Sequence, residues 1–315
     1  MTKSATLLLI VLTSILLVSA RERPNPAASQ APATGRAASQ APSSGSLKQI
    51  IPGHYVYSTL NGGRVFSSGV IATSEGAVVV DALDSEAVGK AERAAIADII
   101  KQPVRYLLSS SFHDPLSKGN IAYADVFKIG HDNYRAGLVD QMARGKIAVE
   151  EQRARMPSST FRDRMTIYVG GKEIQILHFG RAHTLGDSVI FVPQDRIAYL
   201  SEVFFCEEFP NMAQGYGVSW VKVLDAVEAL GADIFVPGHG PIPDDPKATR
   251  SSLHRLRQLL IDARDAIQTE ITRGATEDQT VAAVKLPQYE KMPNYAAQRE
   301  VSLRRMYKEL TGNLP

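Results

Sequence analysis

Apolar and polar positions alternate at Tyr55-Val56-Tyr57 and again at Val65-Phe66, which predicts paired strands near the start of a folded region. The period then changes. From Ser85 to Lys101 the apolar residues Val88, Ala91, Ala95, Ile96 and Ile99 recur at helical spacing, with Asp84 or Ser85 as the cap and Pro103 beyond the end. Val104–Leu108 reads as a strand, and Thr166–Val169 with Lys172–Leu177 around Gly170-Gly171 reads as a two-residue hairpin. Ser188–Val192 and Ile197–Leu200 are two more strands; Trp220–Leu230 is a helix, followed by a strand at Asp233–Val236. Beyond Pro246 the pattern is helical only. Leu253, Leu256, Leu260, Ala263 and Ile267 form one stripe, and Leu303, Met306, Tyr307 and Leu310 face inward on a last helix at 294–311. Strands with intervening helices define an α/β domain over 47–245, and 246–315 is expected to pack on it as an extra helical layer, with a lid or dimer contact as the alternative.

Five short segments within this frame carry chemistry. Gly69–Asp81 is an apolar strand ending in aspartate. Ser109-Ser110-Ser111-Phe112-His113-Asp114-Pro115-Leu116-Ser117-Lys118-Gly119-Asn120 follows the Val104–Leu108 strand. Gly180-Arg181-Ala182-His183-Thr184-Leu185-Gly186-Asp187 and Val236-Pro237-Gly238-His239-Gly240 each hold a histidine in a turn of small residues. Ile197–Glu202 is a second apolar strand ending in an acid. In this order and spacing the segments resemble the signatures of the metallo-β-lactamase superfamily, from about residue 50 to residue 240. The resemblance implies an αββα sandwich, with strand-end loops that hold one or two metal ions.

The signatures at Gly180–Asp187 and Pro237–Gly240 are complete in this chain, but the second, at Ser109–Asn120, is not. Aligned on Gly119-Asn120, the family's His-x-His-x-Asp-His becomes Ser111, His113, Pro115 and Leu116. Carried over residue by residue, a first metal site keeps His113, His183 and Glu202 and loses a ligand to Ser111. A second site keeps His239 and the shared Glu202 and loses its own aspartate and histidine to Pro115 and Leu116. The resemblance therefore implies one ion more readily than two, with His239 as a fourth ligand or a proton donor. Zinc suits such a set, iron is the alternative, and a member without metal is a third possibility. With the family's water-orienting aspartate gone, a hydrolase would need Glu202, His239 or Asp114 as its base. Asp81, Thr184 and Asp187 are expected to brace the loops, and the glycines around His239 to permit its turn.

Three readings follow: a metal-dependent hydrolase of an ester, lactone, thioester or amide; a non-catalytic member that binds a ligand or partner in the cleft; and a mononuclear iron enzyme. The first and third take a small-molecule substrate. Nucleic acid is disfavoured, because 35 basic and 33 acidic residues nearly cancel. Even the densest basic group, Arg153, Arg155, Arg162 and Arg164, is interspersed with Glu150, Glu151 and Asp163. Met1-Thr2-Lys3, the apolar run Ala5–Val18 and Val18-Ser19-Ala20 predict a signal peptide over 1–20, hence a secreted or periplasmic protein. Membrane association would come only through an uncleaved signal. Residues 21–46, in which Ala-Ala-Ser-Gln-Ala-Pro occurs twice, read as a disordered linker. The single cysteine, Cys206, rules out an intramolecular disulfide and is expected in the core.

Overall fold

The structure, a computed structural model, describes residues 45–314. The expected signal peptide and all but the last residues of the expected linker lie outside the described residues; Ser46 already belongs to the first strand. The strands are β1 (Ser46–Ile51), β2 (His54–Asn61), β3 (Arg64–Thr73), β4 (Gly76–Val80), β5 (Val104–Ser109), β6 (Phe127–His131) and β7 (Ser159–Phe161). They continue with β8 (Arg164–Val169), β9 (Lys172–Leu177), β10 (Val189–Val192), β11 (Ile197–Phe205) and β12 (Ile234–His239). The α-helices are α1 (Glu86–Ile99), α2 (Asp114–Ser117), α3 (Asp132–Ala143), α4 (Val149–Arg155), α5 (Gly217–Ala229), α6 (Thr249–Thr272), α7 (Glu277–Ala283) and α8 (Tyr295–Leu310).

Hydrogen bonding runs in the order β7-β6-β5-β4-β3-β12-β11-β10-β9-β8, with β1 and β2 added beside β3. The seam is narrow: β3 and β12 meet through the single pair Phe66 and His239. On either side of it the two halves face each other. Val56, Ile71, Val80 and Leu108 from one half pack against Ile174, Ile176, Ile190 and Val236 from the other. The outer faces are covered by helices. Ile96 of α1 joins Val70, Val79 and Leu107 on one side; Trp220, Leu224, Leu256, Leu260, Leu303 and Met306 join Leu200 and Phe235 on the other. This is an αββα sandwich. Strands covered on both faces account for unbroken apolar runs such as Val78-Val79-Val80, all buried.

The predicted strands and the 170–171 hairpin are present, and Val169 pairs with Lys172 across that turn. Ser85 caps α1 by accepting from Val88 N at 3.3 Å. The buried face of α1 differs from the one read from periodicity. Val88, Glu92 and Ile96 point inward, while Ala91 and Ile99 are exposed. Glu92 displaces the expected phase because the Ser68 and Tyr123 hydroxyls meet its carboxyl inside the fold. Of the C-terminal helices, α6 and α8 place their predicted stripes against the sandwich. The Glu309 carboxylate of α8 also accepts from Val218 N, Ser219 N and Ser219 Oγ at 2.9–3.1 Å, capping α5 from a distant part of the chain. Among the described residues no helix is long and apolar enough to cross a membrane.

Candidate metal centre

The site lies where several strand ends meet, and Asp81 ties two of them together. Its buried carboxylate accepts from Ser110 N at 2.8 Å, Ser110 Oγ at 2.7 Å and Ser201 Oγ at 2.6 Å. Burial pushes the Asp81 carboxyl up to about 7, against the pull of the Ser201 and Ser110 hydrogen bonds. The 110–119 loop is held further by Leu116, whose carbonyl accepts from Ala82 N and Leu83 N at 3.0 and 3.1 Å. The Leu116 side chain is fully buried among Tyr57, Phe66, Leu83 and Val88. Arg155, buried on α4, completes the attachment by donating to Ser117 Oγ at 2.7 Å and Phe112 O at 3.0 Å, and by pairing with Asp114 at 2.9 Å and Glu151 at 2.8 Å.

The other loops are braced independently. Asp187 accepts from Thr184 N at 2.6 Å and Thr184 Oγ1 at 2.5 Å, which closes the turn beside His183. Around His239 the backbone passes very close to its neighbours. A Cβ on Gly238 would stand 2.6 Å from the Ser201 carbonyl carbon; one on Gly240, where φ is +85°, would stand 1.9 Å from Cys206 O. Only glycine fits at both positions. Cys206 is buried, its thiol pushed up to about 11 by that burial, and its amide donates to His239 O at 2.8 Å. It braces the turn rather than lining the site.

These loops bring His113, His183 and Glu202 together, with one possible ligand atom from each lying within 4.8 Å of the others. Glu202 Oε2 is 2.8 Å from His183 Nδ1, and Glu202 Oε1 is 4.0 Å from His113 Nδ1. Donors each about 2 Å from a common ion stand roughly 3–4 Å apart, so this spacing fits one cation. Hydrogen bonding points the same way: Glu202 Oε1 is buried without a hydrogen-bond partner, while His183 Nδ1 lies against Glu202 Oε2. His113 spends its other nitrogen, Nε2, on Gln214 Oε1 at 3.0 Å. Burial alone would raise the Glu202 carboxyl, yet His183 and His239 outweigh it and hold the group well below the usual carboxylate range. Burial lowers His183 as well, but Glu202 more than reverses this and raises the imidazole above its ordinary value. His113 is lowered, by burial first and then by His183. A buried carboxylate with one vacant oxygen, grouped with two imidazoles, is a donor set that could hold a metal ion.

His239 shares the pocket but sits differently. Its Nε2 lies 3.0 Å from Glu202 Oε2, its Nδ1 lies 3.3 Å from Arg64 Nη2, and the Phe205 ring stacks on it at 4.1 Å with 4° between planes. Both ring nitrogens are therefore engaged, and His239 is not part of the three-residue ligand cluster. Asp114 is at the pocket wall with Pro115, its Oδ1 held by Arg155 rather than turned toward Glu202. Ser111 is buried, and Leu116 faces the apolar cluster. The pocket, about 250 Å³, is also lined by Arg64, Phe205, Asn211, Ala213 and Gln214. None of these last five was singled out from sequence. Arg64 opens a strand across the seam, and 211–214 is a loop with no periodic pattern; α8 holds it through Ser302 on Met212 N and Arg305 on Gln214 O and Gly215 O.

No family model matches the chain. It is 29% identical over 137 residues to a linear primary-alkylsulfatase of Pseudomonas sp. (strain ATCC 19151), a match covering 42% of this chain and 26% of that protein. The chain thus spans about a quarter of the length of the curated relatives it matches. Among solved structures, a stereoselective inverting sec-alkylsulfatase from Pseudomonas sp. superposes with a TM-score of 0.65 at 14% identity, over 86% of this chain and 51% of that one. A metallo-β-lactamase from Pontibacter korlensis superposes with a TM-score of 0.58 at 20% identity, over 69% and 98%. The described domain has the metallo-β-lactamase fold, with a helical C-terminal layer and a second signature reduced to His113.

Proposed function

We propose that this chain is a mononuclear metal-dependent hydrolase of a small-molecule ester-type bond, with His113, His183 and Glu202 holding the ion. The observation that carries this reading is the buried Glu202 carboxylate, grouped with His113 and His183 in an open pocket and with its Oε1 left without a hydrogen-bond partner. An ionised carboxylate buried in that way costs several kcal/mol unless a cation completes it. When bound, zinc or another divalent ion supplies Lewis acidity toward a substrate oxygen and makes a water more acidic.

The chain's own side chains do the rest. Gln214 fixes the His113 ring through Nε2 and so turns Nδ1 toward Glu202. His239 steadies Glu202 Oε2. Asp114, at the pocket wall with its Oδ1 on Arg155, is the candidate base of this proposal. The two alkylsulfatases among the relatives are the reason to place sulfate monoesters beside carboxylic esters and lactones in a substrate panel. Export to the periplasm or medium, from the leader expected at 1–20, belongs to the same proposal.

The test is turnover of that panel by the full chain after chelation and after return of zinc or iron. The reading predicts hydrolysis that disappears on chelation, returns with metal and is abolished in His183→Ala. Equal turnover by His183→Ala and wild type would contradict the ligand assignment. Bound metal without turnover would favour a ligand-binding role, and iron bound in preference to zinc would favour oxygen or sulfur chemistry.

A further inference from the structure

Arg64 enters the pocket from the start of β3, beside the ligand cluster but outside it. Its Nε donates to Glu208 Oε1 at 2.9 Å, and its Nη2 reaches both Glu208 and His239 Nδ1. Glu208 is almost wholly buried, whereas the Arg64 side chain keeps about a quarter of its surface exposed. Nη1 makes no hydrogen bond among the described residues. The guanidinium also lies over the Phe66 ring, 5.2 Å from its centre. Arg64 is thus fixed from three directions with a donor left over.

The contact with His239 has a further consequence. A guanidinium only donates, so His239 Nδ1 must accept, and the ring proton sits on Nε2 facing Glu202 Oε2. Arg64 thus puts a permanent positive charge beside His239 in the pocket. A planar guanidinium with free N–H groups recognises oxyanions by charge-assisted hydrogen bonds.

We infer that Arg64 is a substrate-binding residue that takes an anionic oxygen of the substrate, so that the pocket selects a negatively charged ester in which one metal ion and one guanidinium share the charge. This deepens the proposed hydrolase and rests on it for the bond that is cleaved, but the anion site itself can be measured separately.

The probes are inorganic sulfate and acetate, titrated calorimetrically into the full chain, both metal-free and loaded with zinc. The variants are Arg64→Lys, Arg64→Met and the double variant Arg64→Met/Glu208→Gln, which avoids leaving Glu208 buried and unpaired. Wild type is expected to bind sulfate. Both Arg64→Met proteins should lose about tenfold or more in affinity, with Arg64→Lys in between and the first zinc equivalent retained throughout. Acetate bound as tightly as sulfate would make the partner a carboxylate; weaker acetate would make it a sulfate-like tetrahedral group. Unchanged sulfate affinity in the double variant, or no anion binding by wild type in either metal state, overturns the inference. Failure of wild type to take up zinc instead defeats the hydrolase reading, and the metal-free titration still decides the role of Arg64.

Discussion

The loops at 110–119 and 180–187 sit side by side on the same pocket, yet they have kept different things. The 180–187 loop places His183 against Glu202, and Asp187 braces it through Thr184. The 110–119 loop keeps one histidine and holds its shape by other means: Asp81 on Ser110, Arg155 on Asp114 and Ser117, and Leu116 in an apolar cluster. Loop geometry and ligand identity are therefore separable. A loop anchored by buried hydrogen bonds and packing needs no ion to keep its path, so the turn that delivers His113 does not depend on donors at Ser111, Pro115 and Leu116.

The sharpest way to break the contrast is to remove the acid that both loops face. Glu202→Ala should no longer retain a stoichiometric ion through gel filtration while keeping the wild-type circular dichroism spectrum; retention of the ion would place the ligands elsewhere. On the degenerate loop the expected loss is of stability. Leu116→Ala should cost about 2–5 kcal/mol in denaturant unfolding, the range for a buried leucine, without changing metal content. Restoring the family residues as Ser111→His, Pro115→Asp and Leu116→His should not produce a second ion. Position 116 points into the cluster of Tyr57, Phe66, Leu83 and Val88, where an imidazole lacking a partner costs about 1–3 kcal/mol. A zinc titration that saturates at two equivalents in this triple variant would show that the loop can re-form the lost site.

The smallest effect is a pH dependence on the outer helix. Glu92 is pushed up to about 8, chiefly by burial, and its unfolded value is near 4.5. A carboxyl with a raised folded-state value contributes stability below its unfolded value and loses that contribution as pH rises through its folded value. Wild-type thermal stability should fall between about pH 5 and 8 relative to Glu92→Gln, and parallel melting curves for the two proteins would remove Glu92 as the cause.

Much of this was legible in the sequence. The strand–loop signatures gave the sandwich and put His113, His183, Glu202 and His239 at one pocket, because each lies in or after a strongly patterned strand. The phase of α1 was misread because a buried Glu92 looks like a surface residue until Ser68 and Tyr123 are known to meet it. Arg64 and Gln214 were invisible for a related reason. Their roles come from contacts across 175 and 101 residues of chain, and neither stands in a motif. The engagement of both His239 nitrogens is likewise a product of tertiary contacts.

The central claim is that His113, His183 and Glu202 hold one ion. It is tested most directly by titrating the chelated full chain with zinc while reading metal content by plasma mass spectrometry after desalting. The account predicts saturation at one equivalent in wild type and none in His183→Ala. Saturation at two equivalents, or no uptake by wild type under conditions in which it remains folded, would contradict it.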